Sequence, residues 1–173
     1  MRIEGIGAFA PRDARDAEEW ARLAAFCAQH GLAAFSRDPW IGGHVTASGA
    51  VLSPDGGALV LLHHRKLDRW LQPGGHCDGI ADARFVALRE VCEETGLARV
   101  RLLSEAVYDI DIHEIPARGD EPAHLHYDVR FLMQAEAGNL TVSDESHAVA
   151  WVRLTELERH TRAESVLRLR ARL

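Results

Sequence analysis

Residues Leu71 to Leu97 read LQPGGHCDGIADARFVALREVCEETGL, and the spacing inside this stretch decides how the chain around it is read. Gly74-Gly75 is a backbone turn, because glycine enters tightly bent conformations without steric cost. Asp82 stands where a helix N-cap is wanted, ahead of a run of helix formers. Phe85, Leu88 and Cys92 recur at helical spacing as an apolar face, and Gly96 supplies the C-terminal stop. Glu90, Glu93 and Glu94 are related by i, i+3 and i+4, so their carboxylates project from one side of that helix. Alone, such like charges repel and weaken a helix. A hard divalent cation reverses the sign, since Mg2+ takes oxygen ligands and is held by a few carboxylates beside substrate phosphates. A solvated acidic helix face is the plainer account of the same residues.

With those residues in place, Gly75 to Leu97 resembles the Nudix box, G-x5-E-x7-R-E-U-x-E-E-x-G-U with U apolar. Gly75, Arg89, Glu90, Val91, Glu93, Glu94, Gly96 and Leu97 fall on the pattern, and Ala81 stands where its first glutamate belongs. The resemblance implies an α/β fold, a Nudix-type α/β/α sandwich with a mixed β-sheet and the box as loop-helix-loop, here with an N-terminal helix added. It implies an Mg2+-dependent hydrolase, with Mn2+ as a substitute. The bond cleaved is a phosphoanhydride in a nucleoside diphosphate linked to another moiety, by water attack on phosphorus. The metal ligands it implies are Glu90, Glu93, Glu94 and the Gly74 carbonyl, with Arg89 orienting the glutamates by an ion pair. The base is Glu93, Glu90 or a carboxylate from the loop before Trp151, where Glu145 matches best and Asp144 second. The family's first box glutamate supports the arginine, and loss of such a partner costs about 10- to 100-fold in affinity or rate. A catalytically weakened ligand-binding or regulatory module is therefore the alternative. A third reading, an isoprenoid diphosphate isomerase, needs a reactive cysteine, and Cys77 and Cys92 lack supporting motifs.

At 173 residues, with 47% hydrophobic and 27% charged, the chain reads as one domain: a helical arm over 1–43, a core over 44–160 and a helix over 161–173. A formal net charge of −6 argues against non-specific nucleic-acid or membrane binding. Cys27, Cys77 and Cys92 are odd in number and lack CxxC spacing, which fits reduced thiols and a cytoplasmic protein. The charged N-terminal stretch is wrong for a signal peptide. Residues 13–34 predict an amphipathic helix with Trp20, Leu23, Ala24 and Cys27 on its apolar face, packed on the body or serving as a homodimer contact or lid.

His44–Leu52 and Ala58–His64 predict two strands joined by the turn Ser53–Gly57. The basic run ending in Arg65 and Lys66 either meets an anionic substrate or only edges a strand. Tyr108–His113 and His124–Phe131 alternate as neighbouring antiparallel strands. Period two puts Asp109, Asp111 and His113 on one face, and His124, His126, Asp128 and Arg130 on another. If these faces coincide they form a substrate-pocket wall, with His124, His126 and Asp128 shaping substrate choice. A solvated sheet face and a transition-metal site are the other uses. The tail from Thr161 reads as a short basic surface helix.

Overall fold

Asp13 accepts a hydrogen bond from the Asp16 amide and so starts helix α1 (Ala14–His30), which follows two short paired strands, β1 (Arg2–Ile3) and β2 (Gly7–Ala8). The computed structural model describes residues 2–173. Gly31 ends α1 at φ 55°, and residues 31–35 run on as a 3-10 turn in place of the expected α-helix to residue 34. Trp20 and Leu23 are buried as expected, joined by Phe26, which stacks on Tyr127 at 4.4 Å.

The remaining elements are β3 (Gly43–Leu52), β4 (Ala58–His64), β5 (Arg69–Leu71), β6 (Gly74–His76), α2 (Ala83–Thr95), β7 (Val100–Leu102), β8 (Asp109–Ile115), β9 (His124–Ala135), β10 (Ser146–Arg153), α3 (Leu157–His160) and α4 (Glu164–Ala171). The eight strands β3 to β10 form one mixed sheet in the order β10-β4-β3-β9-β7, with β5 on β4, β6 on β3 and β8 on β9. Among the described residues, only β3 and β9 run parallel. The expected hairpin between β3 and β4 holds at a single pair, Leu52 with Leu59. Beyond it the strands diverge, and the fork is filled by β6 pairing on β3 and β5 pairing on β4. The segment that carries the paired glycines thus sits in the split of the sheet.

Helices cover both faces. Val45, Ala47, Val51, Val129 and Phe131 face α1 and α2, while Ala50, Leu52, Leu59 and Leu61 face α3 and α4. On α2 the buried stripe is Ala83, Val86, Ala87 and Val91; Phe85 and Cys92, expected on the apolar face, are exposed. A stripe shifted by one position buries smaller side chains, and β3 lies close enough that a Cβ on Gly49 would meet Val91 at 2.5 Å.

The polar faces of β8 and β9 do coincide: Asp109 pairs with Arg130, Asp111 with Asp128 and His113 with His126. Half of that face is sealed. Arg130, 1% exposed, donates to Asp128 at 2.8 Å, to Asp109 at 3.1 Å and to the Ser165 carbonyl at 2.7 Å. Arg168 adds bonds to Asp109 and Asp111, and Arg172 joins Asp109 to Asp16 of α1. Burial alone would raise Asp111, but its hydrogen bond with His113 and the charges of Arg130 and Arg168 hold it well below the usual carboxylate range. The tail is therefore not a surface helix: Val166 and Leu169 are buried, and its arginines close the ion cluster. Arg130→Met should destabilise the fold by about 3–5 kcal/mol in urea unfolding, because it strands buried carboxylates. A loss under about 1 kcal/mol would mean the cluster carries no stability.

Candidate active site

Asp82 accepts from the Phe85 amide at 3.2 Å and Gly96 closes α2 at φ 71°, so the helix has the expected start and stop. Gly74 and Gly75 do not turn with positive φ; they form β6. Their lack of a side chain serves close approach. A Cβ on Gly74 would strike the Ser48 side chain, and one on Gly75 would lie 2.6 Å from Glu90 Oε2. The glycines let the α2 carboxylates press onto the β6 backbone.

Glu94, 7% exposed, accepts from the Gly74 amide at 2.8 Å. Its pKa is pushed up to about 7, first by burial and then by Glu90, Glu145 and Glu93, against the pull of the Gly74 N–H. Burial also raises Glu90, and Arg89 offsets part of this through a 2.6 Å bond. Glu93 is more open, 3.9 Å from Arg89 Nε. Arg89 further donates to the His76 carbonyl, while its Nε is buried and makes no hydrogen bond, with Glu93 only at ion-pair distance. Ala81 brings no acceptor.

Glu145 lies in the loop before β10 and acts electrostatically on both Glu90 and Glu94. Arg65 straps that loop: its amide donates to the Glu145 carbonyl, and its guanidinium to those of Asp144 and Ser146 at 3.1 and 3.0 Å. Lys66 is exposed beside it. Asp128, expected on a pocket wall, is 5% exposed and engaged by Ser48, Thr46, Gln72 and Arg130, so it stands as an internal tie. His124 and His126 come together at the other end of the face with His44 and His76, which no local sequence signal marks. His44 begins a strand whose partner lies far along the chain, so only register could have found it. Burial pushes Cys77 up to about 12 and Cys27 up to about 11, which leaves both thiols unreactive. A cleft of about 410 Å3 lined by Arg69, Trp70, His160 and Arg162 includes none of the box carboxylates.

Residues 43–172 match the family described as NUDIX domain. No curated protein matches the chain. Among solved structures, a C. elegans Ap4A hydrolase in a binary complex is similar at TM-score 0.63 and 17% identity, over 74% of this chain and 93% of that one. The E. coli dihydroneopterin triphosphate pyrophosphohydrolase gives 0.61 and 17%, over 75% and 93%. The NUDIX domain of Shewanella oneidensis NrtR complexed with ADP ribose gives 0.54 and 17%, over 86% and 94%. At these identities the likeness is one of fold.

The Glu94 shift fixes a pH dependence. The folded chain holds this proton more tightly than the unfolded one, so the contribution of Glu94 to stability falls as pH rises from about 4.5 to about 7 and then levels. Without divalent cations, Glu94→Gln should stabilise the protein by on the order of 3 kcal/mol at pH 8 and little at pH 4. Urea unfolding at both pH values measures this, and an equal effect at the two would contradict it.

Proposed function

The chain belongs to the NUDIX family, and from that premise we propose that it is a pyrophosphohydrolase, cleaving a phosphoanhydride in a nucleoside diphosphate linked to another moiety. The observation that carries this reading is that Glu94 and Glu90 press onto the Gly74–Gly75 backbone, with Glu93 and Glu145 acting electrostatically on both. Burial first, and then the neighbouring carboxylates, raise Glu94 and Glu90, so their ionised forms are costly there until a cation compensates them. An oxygen-only donor set of this charge fits Mg2+, with Mn2+ as a substitute. Glu90, Glu93, Glu94 and the Gly74 carbonyl would hold the ion, which supplies charge neutralisation of the phosphates and acidification of a water.

The remaining work falls to the chain's own groups. Gly74 fixes Glu94 through its amide, and Arg89 fixes Glu90. Water attacks phosphorus, its proton passes to Glu93, Glu90 or Glu145, and the bridging oxygen leaves with the bond electrons. Glu93 and Glu145, the more exposed of the group, have the room to receive that proton. Arg65 positions the Glu145 loop, and Lys66 offers a cation to the incoming diphosphate. A small nucleotide-like substrate suits a protein of net charge −6 better than a nucleic acid does.

One observation favours a second reading, a weakened module that binds its nucleotide without turnover: the buried Nε of Arg89, which makes no hydrogen bond, beside a box that has Ala81. Phosphate release with Mg2+ or Mn2+ across nucleoside-diphosphate conjugates separates the two. Turnover by wild type with a loss of about 10²–10⁴-fold in Glu93→Gln is the expected result. Background rates for both proteins on every compound would replace hydrolysis with binding, and full activity in Glu93→Gln would remove Glu93 from the site.

A further inference from the structure

Outside the carboxylate site, three histidines converge by sheet register. His44 of β3 lies directly opposite His126 of β9 in the parallel pair, and His124 is two residues back along β9, hence on the same face. Their rings stand 4.6 Å (His44–His126), 5.1 Å (His44–His124) and 5.5 Å (His124–His126) apart. One nitrogen from each lies within 4.8 Å of the others.

The rings are short of partners. His44 is 1% exposed, and both of its nitrogens are buried without a hydrogen bond. His126 Nε2 is likewise buried and unpartnered. A buried polar nitrogen left unmade costs roughly 1–3 kcal/mol, so a histidine with two such atoms calls for a ligand. His124 is oriented from behind: Nδ1 lies 2.9 Å from the Pro122 carbonyl, which fixes the proton there and leaves the Nε2 lone pair free.

We infer that His44, His124 and His126 form a binding site for a transition-metal ion of the Zn2+ class, separate from the carboxylate site on α2. Imidazole nitrogen selects Zn2+ and its neighbours over Mg2+, which prefers oxygen, so the two sites differ in the metal they take. Tetrahedral Zn2+ with bonds of about 2.0–2.1 Å spaces its nitrogens by about 3.3 Å. The observed spread needs at most about 1.5 Å of closure, within the reach of small side-chain rotations. With three protein ligands a fourth position stays open, and the half-buried side of His126 gives the ion its way in. His76, with its ring 5.0 Å from His44 and 5.2 Å from His126, stands at the rim.

The test uses the full chain without a polyhistidine tag, titrated with Zn2+ in competition with a coloured chelator. Wild type should take up one tightly held ion and rise in melting temperature. His44→Ala and His126→Ala should each bind more than about 100-fold more weakly, beyond the 10- to 100-fold typical of losing an outer partner. Glu93→Gln should bind Zn2+ at this site as wild type does. Because a histidine variant that fails to fold would be silent, Co2+ is added to wild type as well. Strong visible absorption from a tetrahedral ion supports the site. A weak octahedral spectrum, no Zn2+ uptake by folded wild type, or undiminished uptake in folded histidine variants overturns it.

Discussion

Arg130 lies inside the protein with its guanidinium shared among Asp109, Asp111 and Asp128, and every layer of the fold meets at that point. Its strand partner β8 supplies two of the carboxylates, α4 adds Arg168 and its C-cap residue Arg172, and α1 contributes Asp16. A buried ion group of this kind gives little stability over an apolar replacement, but breaking it by removing one member is costly. What it enforces is geometry. Both faces of the sheet stay covered because the helices on either side are tied to the same charges. With that half of the face closed by ion pairs, the remaining polar side chains are the histidines near the start of β9, which no charge covers.

The fork in the sheet depends on that frame. Because β3 and β4 part after Leu52 and Leu59, the chain between them can lay the Gly74–Gly75 backbone against α2. Close approach then does two things together. It brings Glu94 within reach of a backbone amide, and it crowds carboxylates into a partly dry space where their charges are costly. A rigid framework thus sustains a local electrostatic imbalance that a bound cation relieves.

Much of this was legible in the sequence. The box helix, its Asp82 cap, its Gly96 stop and the antiparallel β8–β9 pair follow from spacing and side-chain chemistry alone. Spacing is silent where the deciding partner is distant. Period two placed Asp128 and Arg130 on one face, but nothing local says that α4 will cover them, so a buried ion cluster read as a pocket wall. Phe85 and Cys92 fit a helical stripe as well as Val86 and Val91 do, and only the approach of Gly49 selects between them. Gly74-Gly75 signalled glycine correctly and its reason wrongly, because close approach and positive φ leave the same letter. His44 became notable only once β3 was found parallel to β9.

The bond between Asp16 and Arg172 joins residues 156 positions apart. A polypeptide made from its N-terminus cannot form that link until nearly all of this sequence has left the ribosome. Until then Asp109 and Asp111 lack the arginines of α4, and closing so long a loop carries a chain-entropy cost that local contacts do not share. Assembly of the sheet edge is therefore coupled to the emergence of Arg168 and Arg172, and a chain made only as far as β10 lacks the charge compensation needed to bury its own strands.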